Sequence, residues 1–412
     1  MNIWLISHYA VPPRYFPLAR QTYFAKNLME MGHQVTIFAA STVHNSDMNL
    51  IENAEPYRCE TVEGVSYVYI RCMNYQGNGL RRIYNMCEFA WKLPGVCKHF
   101  PRPDAIVATS MPPTSCAMGV HLARKYGCRG IAEIADLWPE SIVVYGYAGP
   151  RNPAVVALRM LEKWIYKKAD AVVFTMEGGY DYIREQGWEK EIPASKVYHI
   201  NNGVDLRLYR ENCQKYQIQD EDLDDPDTFK VIYAGSVRKA NGLDELVECA
   251  SRLRDYPKIR FLVYGNGDYV EPLRQRCREE NLDNIIFKGG VAKNYVPYIL
   301  SKSDLNVQNY SAETAKVCRF GSSQNKMFEY FASGKPVLAN VAIAYSPIER
   351  YECGISENLP TGEKYAEAVL RMYNLPREAY DRMCANAQKA ASDYDFQVLT
   401  QKLLAAIEGI QK

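Results

Sequence analysis

The segment GSSQNKMFEYFASGKPVLANV, residues 321 to 341, places a lysine and a glutamate three residues apart within one predicted helix. Its pattern predicts a helix over about 325–332 that ends before a glycine and leads into an apolar strand. Asn325 is expected to cap this helix, and Lys326 lies in its first turn, where a cation opposes the helix dipole unless an anion binds there. Glu329 follows on the same side. Either the glutamate pairs with Lys326, or the lysine and the helix end hold a phosphate while the glutamate accepts hydrogen bonds from the hydroxyls of a ribose.

A glycine turn earlier in the same half of the chain also fits an anion. In YAGSVRKANGLDELV, residues 233 to 247, a predicted strand ends at a glycine and a basic stretch precedes a helix. The amides of Gly235 and Ser236 and the charge of Arg238 or Lys239 would suit a diphosphate. A plain strand–helix turn with surface bases explains the same residues, so both interpretations remain open.

Two further glycine turns follow predicted strands, YGNGDY at 264–269 and FKGGVAK at 287–293. The first is the weak GxG pattern, which a tight turn explains equally well. The second would bring backbone close to a flat ligand such as a base, although turn geometry also accounts for its glycines. The residues expected to contact a ligand in these turns are Gly265, Gly267, Gly290 and Val291.

The first half of the chain has a carboxylate at the carboxyl end of a predicted buried strand. The strand GIAEIAD ends at Asp136, which could position or deprotonate a hydroxyl, or could cap the next segment. The loop SHYAVPPRYFPLARQ, residues 7 to 21, follows the first predicted strand and suits an acceptor or a phosphate. The acceptor-side candidates are His8, Tyr9, Arg14, Arg20 and Trp138.

The segment from 79 to 103 mixes bases with apolar residues at roughly helical spacing, and Glu88 is its single acid. A helix of this composition can rest on an anionic membrane. A core helix with a basic outer face is the alternative. The bases are Arg81, Arg82, Lys92, Lys98 and Arg102.

A chain of 412 residues is too long for one ordinary hydrophobic core, which predicts two domains. Its content of 47% hydrophobic and 24% charged residues is typical of a folded protein. A net charge of +1 argues against a general nucleic-acid binder. The chain does not start like a signal peptide, and no apolar run is long enough to span a membrane, so we expect a cytoplasmic protein. The twelve cysteines lack CxxC pairs and are expected to be reduced rather than to bind zinc.

Strands alternate with helices in both halves, which predicts an α/β protein with two doubly wound parallel sheets. Ligands of such sheets bind at the carboxyl ends of the strands, and two domains facing each other would leave a cleft for a small molecule. We expect an N-terminal domain over 1–205, a linker over 206–228, a second domain over 229–385 and a C-terminal helix over 386–412 that crosses back to the N-terminal domain.

Several of these motifs resemble glycosyltransferase family 4, whose members are retaining enzymes of the GT-B fold. The resemblance covers nearly the whole chain and extends to the branch that builds bacterial surface polysaccharides, including the N-acetyl-L-fucosamine transferases. Its more specific motifs are EIADLWPESI and the NKMFEY…GKPV pattern. Further matches are ARQTYFAKNLMEMGHQVTIF, PDAIVATSMPPTSCAMGVHLARKYG, YHINNGVD and YAGSVRKANGLDEL.

The resemblance implies two Rossmann-like domains, of which the second binds a nucleotide-sugar that is UDP-linked. Glu329 would hold the ribose. Arg238 and Lys326, with the amides after Gly235, would hold the diphosphate, and the turn at 289–291 would contact the base. These groups would stabilise the leaving diphosphate without a metal or any other cofactor, and no DxD element is placed to bind a cation.

The resemblance further implies that Asp136 and the loop containing His8 line the acceptor side, so that Asp136, Arg238 and Lys326 are the catalytic residues. The acceptor would be a glycan or an undecaprenyl-diphosphate-linked glycan in capsule, O-antigen or exopolysaccharide assembly. Transfer would take place at the inner face of the plasma membrane, with residues 79–103 in contact with anionic lipid.

Two residues depart from the family pattern. Many members carry two glutamates eight positions apart at this motif, and Ser322 stands in the place expected for the first. Asn241 replaces a lysine of the phosphate loop. These changes leave two alternative functions open, a nucleotide-sugar-binding protein without activity and a non-hydrolysing nucleotide-sugar 2-epimerase. The epimerase would need more acid/base groups than the sequence offers.

Overall fold

The structure is a computed structural model that describes residues 1–15, 19–44 and 46–410. It separates into two compact units, Met1–Asn201 with Phe396–Lys412 and Asn202–Asp395.

Parts of two predicted segments lie outside the described residues. These are residues 16–18 of the acceptor-side loop and residues 411–412 of the C-terminal helix. Within the described part of the chain, no helix is both long and apolar enough to cross a membrane.

Helices and strands alternate along both units. The strands are Asn2–Ile6 (β1), Gln34–Ala40 (β2), Tyr57–Val62 (β3), Val65–Ile70 (β4), Ala105–Ser110 (β5), Arg129–Ile134 (β6), Ala171–Phe174 (β7), Val197–His199 (β8), Phe229–Ala234 (β9), Ile259–Tyr264 (β10), Ile285–Gly289 (β11), Leu305–Gln308 (β12), Val337–Ala339 (β13) and Gly354–Ser356 (β14). The helices are Arg20–Glu30 (α1), Leu80–Cys97 (α2), Pro113–Tyr126 (α3), Glu140–Val144 (α4), Pro153–Lys168 (α5), Gly179–Glu185 (α6), Leu206–Lys215 (α7), Glu221–Asp224 (α8), Asp244–Arg252 (α9), Val270–Glu279 (α10), Val296–Ser301 (α11), Ala312–Ala315 (α12), Asn325–Ala332 (α13), Pro347–Arg350 (α14), Gly362–Tyr373 (α15), Arg377–Asp393 (α16) and Phe396–Glu408 (α17).

The sheet of the first unit has the strand order β3-β4-β2-β1-β5-β6-β7-β8. Its strands pair in parallel, except that β3 pairs antiparallel with β4. Trp4 and Leu5 of the central strand β1 point to opposite faces of the sheet and are both buried, as expected for a parallel sheet covered on both faces. The strand order reverses between β1 and β5, and loops at such a switch point commonly bind ligands.

The sheet of the second unit has the order β11-β10-β9-β12-β13-β14, and its strand pairs are parallel. The order reverses between β9 and β12. Its core consists of buried side chains from the strands and the helices packed on them, among them Val231, Phe261 and Val307. Two parallel sheets within an α/β chain confirm the predicted fold class.

The predicted linker at 206–228 is wrong, because these residues belong to the second unit. They form α7 and α8, and Tyr209 of α7 is buried. The Nζ atom of Lys288 lies 2.6 Å from a carboxylate oxygen of Asp220 and 2.6 Å from one of Asp222. Ion pairs therefore attach this acidic run to the sheet.

The C-terminal segment also differs from the single helix expected over 386–412. The helix α16 ends at Asp393 within the second unit, and α17 begins at Phe396 within the first. The ring of Phe396 stacks on Tyr23 with the ring centres 4.8 Å apart and meets Phe24 edge-on at 5.5 Å. Only α17 therefore packs on the first unit.

Candidate functional site

The three predicted glycine turns of the second unit meet at the carboxyl ends of the neighbouring strands β9, β10 and β11. The amide of Gly235 donates to the carbonyl of Tyr264 at 2.9 Å, and the amide of Gly265 donates to the carbonyl of Gly289 at 2.8 Å. The amide of Val237 donates to the carbonyl of Asn266 at 2.9 Å. These bonds join the three turns into one surface.

Close packing between the turns accounts for their glycines. A Cβ atom on Gly265 would lie 1.7 Å from the carbonyl oxygen of Gly235, and one on Gly267 would lie 1.9 Å from that of Val237. A Cβ atom on Gly290 would lie 2.3 Å from the side-chain nitrogen of Asn266. The turns can approach one another this closely only without side chains at these positions.

The helix α13 is anchored to the end of β9 by a buried tyrosine. The hydroxyl of Tyr330 accepts a hydrogen bond from the amide of Ala234 at 3.1 Å and donates to its carbonyl at 3.3 Å. Three further side chains of α13, those of Met327, Phe328 and Phe331, are fully buried. This anchoring sets the first turn of α13 against the glycine turn that follows β9.

Lys326 extends from that first turn to Gly235. Its Nζ atom donates to the hydroxyl of Tyr233 at 2.8 Å and lies 4.4 Å from the centre of the Tyr233 ring. A Cβ atom on Gly235 would come within 3.0 Å of Nζ. Lys326 has no ion pair with a carboxylate in the described part of the chain. Desolvation, with a smaller effect of Lys293, lowers the pKa of Lys326 to about 7.

Glu329 does not pair with Lys326, so the first of the two alternatives for this helix is wrong. Both of its carboxylate oxygens contact the Nζ atom of Lys293, at 2.5 and 2.6 Å. Lys293 opens a short 3₁₀ helix after β11, and its side chain is about half exposed. The sequence gives only a weak signal for this residue, a lysine three positions after Gly290.

The predicted cap of α13 is wrong by one residue. The N-cap is Gln324, whose side chain makes no capping hydrogen bond, and Asn325 is the first helical residue. The side chain of Arg238 is exposed, as is Ser236. The side chain of Arg238 makes no hydrogen bond or ion pair with any residue that the structure describes. The half-buried Val291 follows the turn after β11.

The two departures from the family pattern have structural roles. The side chain of Asn241 donates to the carbonyl of Ser236 at 2.5 Å and to its hydroxyl at 3.1 Å, which holds the turn after β9. The hydroxyl of Ser322 lies 2.7 Å from that of Tyr310 in the interior. The residue eight positions before Glu329 is in fact Gly321, so the assignment of the missing glutamate to Ser322 is wrong. Neither position has a carboxylate.

In the first unit, Asp136 and Trp138 lie in the loop after β6, and an ion pair holds the C-terminal end of this loop. The side chain of Asp136 reaches solvent, although the protein packed around it raises the pKa of the carboxyl above its ordinary value. Trp138 is half-buried. Glu140 accepts a hydrogen bond from Arg159 of α5 at 2.6 Å, which ties this loop to α5.

His8 is fully buried and cannot face an acceptor, contrary to the prediction. Its Nε2 atom lies 2.7 Å from the side-chain oxygen of Asn85, and burial lowers the pKa of His8 to about 3. The neighbouring Tyr9 is half-buried, and its hydroxyl accepts hydrogen bonds from Arg82 at 3.0 and 3.1 Å. Of this pair, only Tyr9 stays accessible.

The two arginines of the acceptor-side loop bind protein groups instead. Arg14 forms an ion pair with Glu60 of β3. Arg20 donates to the buried carboxylate of Glu133 at 2.9 Å and to the carbonyl of Ile200 at 2.8 Å. Arg20 therefore joins α1 to β6 and to the residue after β8. The prediction that Arg14 and Arg20 bind the acceptor is wrong.

Across residues 1–15, 19–44 and 46–410, no three His, Cys, Asp or Glu side chains cluster as a metal site would require.

Comparison with known proteins agrees with this geometry along most of the chain. The model of the glycosyl transferase 4-like domain matches residues 19–203, and that of the glycosyl transferases group 1 matches residues 215–390. The chain belongs to the family 4 glycosyltransferases of the GT-B fold. The resemblance of its motifs to this family is thereby confirmed.

Relatives of this glycosyltransferase include WcaI of Escherichia coli, named as a colanic acid biosynthesis glycosyl transferase. It is 26% identical over 296 residues, which cover 68% of this chain and 69% of WcaI. HepE of Anabaena, solved in complex with UDP, has the same fold with a TM-score of 0.70, at 15% identity over 100% of both chains. A glycosyltransferase of Rickettsia africae has a TM-score of 0.66 at 15% identity, covering 99% of this chain and 97% of its own.

We expect the substitution Gly265→Ala to destabilise the second unit severely, because its Cβ atom would collide with the backbone of Gly235. The loss in the free energy of unfolding should exceed about 3 kcal/mol in urea denaturation. Gly289→Ala is the matched control, since its φ of +80° is also strained but its nearest neighbouring atom lies 4.0 Å away. That control should lose only about 1–2 kcal/mol. Equal losses in the two variants would contradict the packing argument.

Proposed function

We propose that this glycosyltransferase moves a hexosyl or N-acetylhexosaminyl group from a UDP-sugar to a glycan acceptor during surface polysaccharide assembly. The observation that carries the proposal is Lys326, a cation without a carboxylate partner among the described residues, held against the Gly235 turn at the start of α13. An anion at this position would be stabilised by the lysine and by the helix dipole. The UDP complex of HepE and the role named for WcaI support the choice of donor and pathway.

In this proposal, the donor lies along the carboxyl ends of β9, β10 and β11. Lys326 and the exposed Arg238 bind the diphosphate together with the amide of Ser236, and Glu329 accepts hydrogen bonds from the ribose. The predicted contact of the Gly235 amide is wrong, because this amide donates to the carbonyl of Tyr264. Lys293 can stay in place, because each carboxylate oxygen has a further lone pair for a hydroxyl.

The remaining donor contacts follow from the neighbouring turns. The backbone at 289–291 lies beside the base, with Gly290 and Val291 nearest to it. Gly265 and Gly267 contribute indirectly, since they let the turns pack into one surface. Asn325, as the first helical residue, presents its backbone amide towards the phosphates.

We propose that transfer retains the configuration of the sugar and requires no metal. Lys326 and Arg238 neutralise the leaving diphosphate, the function that a divalent cation has in other transferases. The acceptor hydroxyl forms a bond to the anomeric carbon on the face that the diphosphate leaves, a diphosphate oxygen takes its proton, and Asp136 orients the hydroxyl. An inverted product in proton NMR, or loss of turnover in EDTA, would refute these two points.

The acceptor side includes a membrane contact through α2. One face of this helix is buried, while Leu80 is 83% and Trp91 is 78% exposed, and Ile83 and Tyr84 on the same face are also exposed. The single acid, Glu88, is neutralised by Lys92 at 2.6 Å, and Arg81, Lys98 and Arg102 around this face are exposed. An exposed apolar stripe bordered by bases is complementary to an anionic lipid surface. A lipid-linked glycan, such as an undecaprenyl-diphosphate-linked one, at the cytoplasmic face of the membrane would place the acceptor there.

The substitution Lys326→Ala should weaken UDP binding by about 1.5–3 kcal/mol in isothermal titration calorimetry, the typical contribution of one charge-assisted contact. Lys364→Ala, an exposed lysine of α15 in the same unit, is the control and should bind UDP like the wild type. An unchanged affinity in Lys326→Ala would refute the placement of the diphosphate.

UDP affinity should fall as pH rises from about 7 to 9. The pKa of Lys326 lies near 7 in the unliganded protein, below its ordinary 10.5, and a bound anion raises it, so binding above pH 7 requires proton uptake. By the same linkage, the contribution of Lys326 to the free energy of unfolding rises with pH between 7 and 10.5, because only the unfolded lysine is then charged. The terminal phosphate of UDP, with a pKa of about 6, is already mostly ionised at pH 7. Titrations at pH 7, 8 and 9 measure the effect, and Lys326→Arg, which stays charged, should abolish it; a flat wild-type profile would contradict it.

The double substitution Leu80→Ser and Trp91→Ser should remove most binding to vesicles of phosphatidylcholine with 30% phosphatidylglycerol, because each buried side chain contributes about 1.5–3 kcal/mol. Co-sedimentation measures the bound fraction. Met160→Ser, an exposed apolar residue of α5 in the same unit, should leave it unchanged. Wild-type binding should also weaken at high salt. Equal binding to pure phosphatidylcholine vesicles would refute the electrostatic part.

A further inference from the structure

A polar pocket opens in the first unit beside the beginning of α2. Its volume is about 270 Å³, and its lining comes from the loops after β2 and β4 and from the first turn of α2. Pockets for small molecules commonly measure roughly 300–1,000 Å³. This pocket is therefore the size of a single small unit such as one sugar ring, and too small for a long oligosaccharide. Its lining includes Asp47, Asn74, Tyr75, Gln76 and Arg81.

The lining offers both donors and acceptors in fixed positions. The side chain of Gln76 donates to Asp47 at 2.8 Å, and the side-chain oxygen of Asn74 accepts from Asn49 at 2.6 Å. Each of these groups keeps further hydrogen-bonding capacity, because a carboxylate accepts several bonds and an amide both donates and accepts. Adjacent hydroxyls of a sugar also both donate and accept. The pocket suits a hydroxyl-rich ligand better than an apolar one.

The pocket continues into the side of the sheet where the acceptor residues were expected. The hydroxyl of Tyr75 lies 2.9 Å from the Nδ1 atom of His44, and the His44 ring lies 4.8 Å from the ring of Tyr9. Tyr9 follows β1, the neighbour of β2 in the sheet. His44 therefore connects Tyr9, the accessible residue after β1, to Tyr75 in the lining of the pocket.

The position of the pocket relative to α2 indicates the form of the ligand. Arg81 lines the pocket, and the preceding residue, Leu80, begins the exposed apolar face of α2. A ligand with a sugar in the pocket and a hydrocarbon chain attached to it would lay the chain along that face, and Arg81 would meet a phosphate between them.

We infer that this pocket is the subsite for one sugar of a lipid-linked saccharide acceptor. The inference rests on the proposed glycosyl transfer and specifies its acceptor by chemistry. It assigns recognition of the sugar to Asp47, Asn74 and Gln76, which the sequence analysis did not single out.

Saturation-transfer NMR on the full chain tests this assignment, with methyl and octyl glycosides of glucose, galactose, N-acetylglucosamine and glucuronic acid as probes. At least one methyl glycoside should receive saturation from the wild type. Gln76→Ala and Asn74→Ala should each weaken it about threefold or more, the loss expected for one hydrogen bond. Both residues are exposed, so the fold should tolerate the changes. Asn53→Ala, an exposed amide outside the pocket, should have no effect.

The octyl glycoside of the same sugar should bind more tightly than the methyl glycoside, and Leu80→Ser should remove that difference. Equal affinity for the two would refute the lipid-linked form of the acceptor. UDP titration by calorimetry runs in parallel on each variant and should be unchanged. If UDP binds but no glycoside does, or if the pocket variants bind like the wild type, the subsite is refuted and the proposed function stands. If UDP does not bind, the proposed function fails and the acceptor role of the pocket fails with it.

Discussion

The second unit depends on the hydrogen bonds made by the last residue of β9, at the point where the strand order reverses. Beyond Ile232, β9 no longer pairs with β12, so the backbone of Ala234 on that side has no partner strand. The hydroxyl of Tyr330 bonds to both the amide and the carbonyl of Ala234. A buried unpaired peptide group is costly, and this side chain satisfies both of its polar atoms. The same contact fixes α13, and with it the position of Lys326.

The charges of this site are arranged around that anchor. Glu329 is neutralised by Lys293, while Lys326 contacts a phenol and the edge of a glycine turn. An unpaired lysine in partly dry surroundings favours its neutral form, and an anionic ligand reverses that preference. Folding therefore favours the neutral form of Lys326, whereas binding of an anion would favour the charged form. Such a conflict between stability and binding is common at functional sites.

The sequence predicted the features that depend on local pattern. The bounds of α13, the glycine turns after β9, β10 and β11, and the alternation of strands and helices follow from periodicity and from turn residues. The predictions were wrong for residues whose partners are distant in sequence. His8 was expected to be accessible at the end of a strand, but it is buried and hydrogen-bonded to Asn85, which is 77 positions away. Lys293 and Glu329 are 36 positions apart, and the acidic run at 220–224 is bound by lysines from later in the chain. No local rule identifies such pairs.

The path of the chain between the two units has a consequence for how the protein is made. The second unit is inserted into the first, and its two ends meet where the amide of Val204 donates to the carbonyl of Tyr394 at 3.1 Å. All strands and helices of the second unit therefore precede α17 in the chain. The first unit must wait for residues 396–408 before Phe396 can cover Tyr23 and Phe24. Every segment of the second unit is thus synthesised before α17, so the first unit is the one whose packing is completed last.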